Sequence, residues 1–141
     1  EAQLQLAIDY QLPVSFHVRE AFNDFWPIFD NFSGVRGVLH SYTDTPENLE
    51  RGFARGLYAG INGISTFTKQ AWQQEMYASV PLEKVCLETD APFLTPAPLR
   101  GTMNEPSFVG RVAEHLAYTH DVDVTKVIAH TTNNTRKLFA I

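Results

Sequence analysis

Four short apolar runs, each followed by a segment of helical period, constrain this chain more than any other feature. The runs are Pro13-Val-Ser-Phe-His17, Val35-Arg-Gly-Val-Leu-His40, Leu57-Tyr-Ala-Gly-Ile61 and Val85-Cys-Leu-Glu88. Strands that alternate with helices build repeated β–α units on a parallel sheet, and such strands read as near-continuous hydrophobic runs. The helical segments fall at roughly 20–31, 46–55, 68–79 and 106–119. Thr45 is placed to cap the second of these, with Pro46 at its first helical position, and Pro106 opens the last. Beyond Asp123, another capping residue, the pattern predicts short helices through Val127-Ile128 and then over 134–139. The leading Glu1-Ala-Gln-Leu-Gln-Leu-Ala-Ile8 reads as the second half of an amphipathic helix with no cap before it. The chain is therefore expected to begin inside a larger unit.

A strand–helix unit repeated four times is half of an eight-stranded β/α barrel, which usually needs about 250 residues. The alternative is a small, open, doubly wound sheet. At 141 residues, 44% hydrophobic and 19% charged, the sequence is expected to form one partial domain over 1–141, with no linker. A net charge of −5 excludes the global basic field with which duplex-binding modules neutralise phosphates, so any nucleic-acid contact must be local or carried by a metal. The single cysteine, Cys86, lies in an apolar run; it excludes an internal disulfide or a Cys-x-x-Cys site and favours a reducing, cytoplasmic setting. No apolar run is long enough to cross a bilayer, and no membrane partner is expected.

The ends of the strands carry the chemistry. Two finish in histidine, His17 and His40, and a third in Glu88-Thr-Asp90. Parallel strands present all their C-terminal ends on one face, so these three residues converge despite their distance in sequence. Imidazole nitrogens with a carboxylate oxygen suit zinc, manganese or another borderline divalent ion. Glu88, two positions before Asp90, faces the same side; the reading favours a bracing ion pair, with Arg19 as its partner, over metal ligation. Arg19 could equally pair with Glu20. The aromatic set Phe22, Phe25, Trp26 and Phe29 recurs at helical spacing and is expected in the core, and His115, His120 and His130 are expected to be structural or exposed.

The strings Phe16-His-Val-Arg-Glu-Ala21, Gly37-Val-Leu-His-Ser-Tyr42, Leu87-Glu-Thr-Asp-Ala-Pro-Phe-Leu94, Arg100-Gly-Thr-Met-Asn-Glu-Pro106 and Thr131-Thr-Asn-Asn-Thr-Arg-Lys-Leu-Phe139 resemble, in order, the C-terminal half of the TatD family of metal-dependent deoxyribonucleases. That family is itself similar to the wider amidohydrolase group of barrel enzymes. The resemblance implies half of a (β/α)8 barrel, strands five to eight with their helices. It implies a two-metal centre of magnesium, manganese or zinc ions, with His17 and His40 on one ion. Asp90 would bind the other ion and act as the catalytic proton acceptor. Arg100 and Asn104 match a loop at the mouth and are assigned to phosphate or substrate contact, the substrate being DNA, single-stranded in the preferred reading.

Asp44 stands where the family usually has glycine, and Thr66-Phe-Thr-Lys-Gln70 is slightly altered. The His-x-His pair of the family's first strand and the bridging Glu of its fourth have no counterpart here. Four strands cannot close a barrel. Residues such as Val14, Phe16, Val38 and Leu39 are thus expected to meet solvent in part, with two open sheet edges that the missing N-terminal half or self-association would cover. Two other readings stand beside the nuclease: an amidohydrolase-type enzyme acting on a small ester or amide, and a catalytically inactive module.

Overall fold

A computed structural model describes all 141 residues. The strands are β1 (Val14–Phe16), β2 (Gly37–Leu39), β3 (Tyr58–Ile61) and β4 (Val85–Leu87). All neighbours are parallel and the spatial order is β1-β2-β3-β4. A doubly wound sheet would reverse direction at a switch point. Consecutive order without reversal is instead the order of a barrel wall, and the sheet is half of one.

The helices are α1 (Ala2–Asp9), α2 (Phe22–Phe29), α3 (Pro46–Ala54), α4 (Ile64–Phe67), α5 (Ala71–Ser79), α6 (Val109–Thr119) and α7 (Val124–Phe139). Residues of one strand parity, Phe16, Leu39, Ala59, Ile61 and Val85, join Leu4, Trp26, Leu49, Met76, Leu116 and Val127 of six helices in a single core. These six helices therefore pack on one face of the sheet, apart from the last turn of α7. Trp26 is fully buried among Phe22, Phe25 and Phe29, as the helical spacing requires, and its indole N–H donates to Asn48 Oδ1 at 2.9 Å. Thr45 caps α3 by accepting from Asn48 N–H, and Pro46 opens the helix as expected. Asp44 also accepts from Thr45 N–H and Asn48 Nδ2, so its departure from glycine serves this helix start.

Three expectations change. The helix expected over 68–79 starts only at Ala71, as α5, and a short helix that was not expected, α4, precedes it; between them the Thr68 hydroxyl bonds Gln73 Oε1. The segment after Asp123 is one helix of 16 residues rather than two short ones. Its polar and β-branched run Thr131-Thr-Asn-Asn-Thr135 does not break it; the Thr131 and Thr135 hydroxyls bond the carbonyls four residues before them, an arrangement compatible with a continuous helix. Asn134 turns away to the sheet, donating to Leu82 O and Val85 O at 2.8 Å each.

The third change concerns the interior face of the half-barrel. Phe16, Val38 and Leu39 are 8%, 4% and 1% exposed, and only Val14 is half-buried. Phe16 and Leu39 belong to the helix-facing parity. Val38, of the opposite parity, packs with Cys86 and Tyr58 against Leu138, so the last turn of α7 covers part of the face that would line a closed barrel. Burial there also pushes the Cys86 thiol up. β1 and β4 each have one neighbour only and end the sheet.

Candidate metal centre

The chain leaves β1, β2 and β4 on one rim, and in each case a residue close beyond the strand bends it sharply. Glu20, Ser41 and Asp90 have φ of 51°, 51° and 57°. A non-glycine residue held in the left-handed region costs roughly 1–3 kcal/mol and persists where its surroundings fix it. At Ser41 those surroundings are visible. The flanking His40 N–H donates to Phe16 O and Tyr42 N–H to Gly60 O, both at 2.9 Å, while Ser41 N–H is turned to Glu88 Oε1 at 2.5 Å.

Glu88 gives its other oxygen, Oε2, to His40 Nδ1 at 3.0 Å. Burial raises its carboxyl above the usual range, opposed by the His40 beside it. Both Glu88 oxygens are thus engaged, and the carboxylate braces the site as expected. Its partners are His40 and Ser41, however, and Arg19 pairs with neither Glu88 nor Glu20.

His40 Nε2 lies 3.1 Å from Asp90 Oδ1. With Nδ1–H donating to Glu88, the remaining ring nitrogen turns a lone pair toward a carboxylate lone pair. Two acceptors at that distance are held only by a cation between them, a proton or a metal ion. Two donors of one tetrahedral ion, each about 2.0–2.1 Å from it, stand roughly 3.3 Å apart, so the pair fits one ion held between them, in place of the separate ions that the resemblance implies for His40 and Asp90. Donor atoms of His40, Glu88 and Asp90 lie within 4.8 Å of one another. His17 stands outside that cluster. Its exposed ring, beyond edge strand β1, is tilted 41° to the His40 ring with centroids 5.8 Å apart.

Asn62, just past β3, is 3% exposed and was not singled out from the sequence. Its Oδ1 accepts from Ile64 N–H at 3.1 Å, which orients the amide. Nδ2 then donates to Ser41 Oγ at 2.8 Å and reaches toward Asp90 Oδ2 at 3.5 Å. The signal was available: Asn62 ends its strand as His17 and His40 end theirs.

A cleft of about 450 Å³ opens here, lined among others by His17, Arg19, His40, Ser41, Asp90 and Leu94. Arg100 and Asn104 are not part of its lining. The Arg100 guanidinium lies over the Phe67 ring, 3.9 Å from its centroid, and donates to Thr95 O. Asn104 is 3% exposed; its Nδ2 donates to Thr89 O and Phe93 O, and its Oδ1 accepts from Glu105 N–H. The amide that the sequence assigned to substrate contact is spent on folding the loop after β4. Of the remaining histidines, His120 bonds Tyr77 O, His130 faces Glu83 at 3.6 Å, and burial lowers His115, consistent with structural roles.

The model of TatD related DNases matches residues 1–140. The chain belongs to that family. Among curated relatives, the uncharacterized metal-dependent hydrolase YabD of Bacillus subtilis is 33% identical over 141 residues, covering 99% of this chain and 55% of its own length. The 3'-5' ssDNA/RNA exonuclease TatD of Citrobacter rodentium is 34% identical over 150 residues, covering all of this chain and 56% of its own. Among solved structures, the TatD homolog YJJV of Escherichia coli superposes with a TM-score of 0.89 at 27% identity, over 99% of this chain and 54% of that one. A TatD-family hydrolase of Entamoeba histolytica, 19% identical with a TM-score of 0.86, shares the fold. The chain thus spans about half the length of its TatD relatives, in agreement with half of a barrel wall.

Proposed function

We propose that the protein carrying this chain is a metal-dependent hydrolase of DNA phosphodiester bonds, acting on single strands, with part of its metal site supplied from outside these 141 residues. The observation that carries this reading is the His40–Asp90 pair, 3.1 Å apart and braced on the far ring nitrogen by Glu88. The name of the 34%-identical Citrobacter relative supports the substrate class.

A bound divalent ion such as magnesium, manganese or zinc supplies Lewis acidity, lowering the pKa of water from about 15.7 toward ~7, and two ions can serve the attacking and leaving oxygens together. His40 offers Nε2 as donor because Glu88 holds Nδ1, and His17 is the second imidazole facing the same cleft. Asp90 offers Oδ1 as ligand and is the proton acceptor for the attacking water. Arg19, without a carboxylate partner and lining the cleft, is the cation available to a phosphate. A chain of net charge −5 thereby contributes to binding a polyanion through local charge.

The test is cleavage of a labelled single-stranded oligonucleotide by the full-length gene product with magnesium or manganese. Cutting that stops with a chelator, and falls at least a hundredfold in Asp90→Asn, supports the reading. Intact DNA with metal present, together with turnover in a panel of small esters and amides, would replace it.

A further inference from the structure

β3 brings no histidine or carboxylate to the rim, yet it separates the two strands whose side chains meet there. Glu88 follows β4, whereas its partners His40 and Ser41 follow β2, and β3 lies between them. Neighbouring strands are about 4.8 Å apart, so the Glu88 side chain passes over the backbone of β3 to make both contacts. The residue beneath that path is Gly60, buried and paired with Cys86 in the ladder. A Cβ added to Gly60 would lie 2.5 Å from Glu88 Oε2, 2.8 Å from Cδ and 2.9 Å from Oε1. These are its three nearest neighbours, and all belong to one carboxylate.

Glycine is not here for its backbone freedom. The glycines with positive φ are Gly34, Gly56 and Gly101. Nor is it a site of ordinary close packing like Gly52, where an added Cβ would first meet the flexible Leu39 side chain. We propose that Gly60 is a positioning residue of the metal centre: its missing side chain is the passage through which Glu88 crosses β3 to hold His40 Nδ1 and present Nε2 to an ion. The inference rests on reading His40 as a metal donor, and its test includes a measurement made without metal.

That measurement is the His40 ring in ¹⁵N-labelled chain. A hydrogen-bonded, slowly exchanging Nδ1 proton is expected in the parent and lost in both Gly60→Ala and Glu88→Ala. Zinc alone is the second probe. Residues that orient a ligating histidine typically contribute a factor of 10–100 in affinity, so each single variant is expected to weaken zinc binding by about that factor. Because Gly60 acts through Glu88, adding Gly60→Ala to Glu88→Ala should change zinc affinity by less than about twofold.

A Gly60→Ala chain that keeps the Nδ1 proton and parental zinc affinity overturns the proposal, as does one whose cost is undiminished in the Glu88→Ala background. If Gly60→Ala alone does not fold, the double variant decides: folding equal to Glu88→Ala supports the passage, and failure to fold overturns it. A parent chain that ignores zinc counts against the metal reading, while the ring proton still decides the role of Gly60.

Discussion

Glu88 and His40 are bonded at 3.0 Å although a whole strand separates the two strands they follow. Glu88 faces two donors at once, the His40 Nδ1–H and the Ser41 N–H. Only an ionised carboxylate has an acceptor for each. Glutamine of the same shape would turn an NH₂ group toward one of them. Glu88→Gln is therefore expected to behave like an alanine substitution rather than a conservative one, with zinc affinity lower by roughly tenfold or more in a competition titration.

The core beneath this rim is set by Trp26, which is fully buried and hydrogen-bonded to Asn48. Arg55 covers one face of the ring, 4.8 Å from its centroid, and is anchored in turn by Asp30. Trp26→Ala removes the largest buried side chain and leaves a cavity. A loss of about 3–5 kcal/mol in urea unfolding is expected. Trp26→Phe should cost less, since it loses chiefly the bond to Asn48.

Asn134 ties α7 to the sheet through two bonds from one amide nitrogen, to Leu82 O and Val85 O. Asn134→Ala leaves both carbonyls without that partner in a buried setting. The expected cost is about 1–3 kcal/mol by urea unfolding. Faster amide exchange in α7 should accompany it, because this helix loses its polar anchor to β4.

Asp123 caps α7, accepting from the N–H and hydroxyl of Thr125, and these bonds hold its carboxyl below the usual carboxylate value. A carboxyl depressed in the folded state stabilises the fold above its unfolded pKa, about 3.9, and the stabilisation is lost as pH falls through the folded value. The difference in melting temperature between the parent and Asp123→Ala should therefore be constant near neutrality. It should shrink once pH drops below about 4.

The framework was legible in the sequence because its signals are local. Strand runs, the Thr45-Pro46 start and the Asp123 cap each depend on a few neighbouring residues. His40, Glu88 and Asp90 were legible as strand-end residues facing one side, and they do meet, while His17, expected to converge with His40 and Asp90, stands outside the cluster. What escaped depends on contacts distant in sequence. Nothing near Glu88 says that its partner is 48 positions away rather than at Arg19. Asn104 was assigned to substrate contact by resemblance, and only the fold shows both its donors and its acceptor already engaged within the chain. Gly60 carried no chemical signal at all, since its contribution is the volume it leaves empty. α7 read as two pieces because its central residues have poor helical propensity, which the burial of Val127 and the tie of Asn134 to the sheet outweigh.

The last turn of α7 also bears on how the chain is made. Leu138 covers Val38 and Cys86, and Asn134 closes the carbonyls of Leu82 and Val85 at the start of β4, so residues synthesised after all four strands complete a sheet whose first strands were made long before. Until they emerge, Val38 and Cys86 lie bare on a growing chain, where exposed apolar surface and free strand edges favour aggregation. A break in the chain just before Leu138 would thus strike the middle of the sheet as well as the helix that carries it.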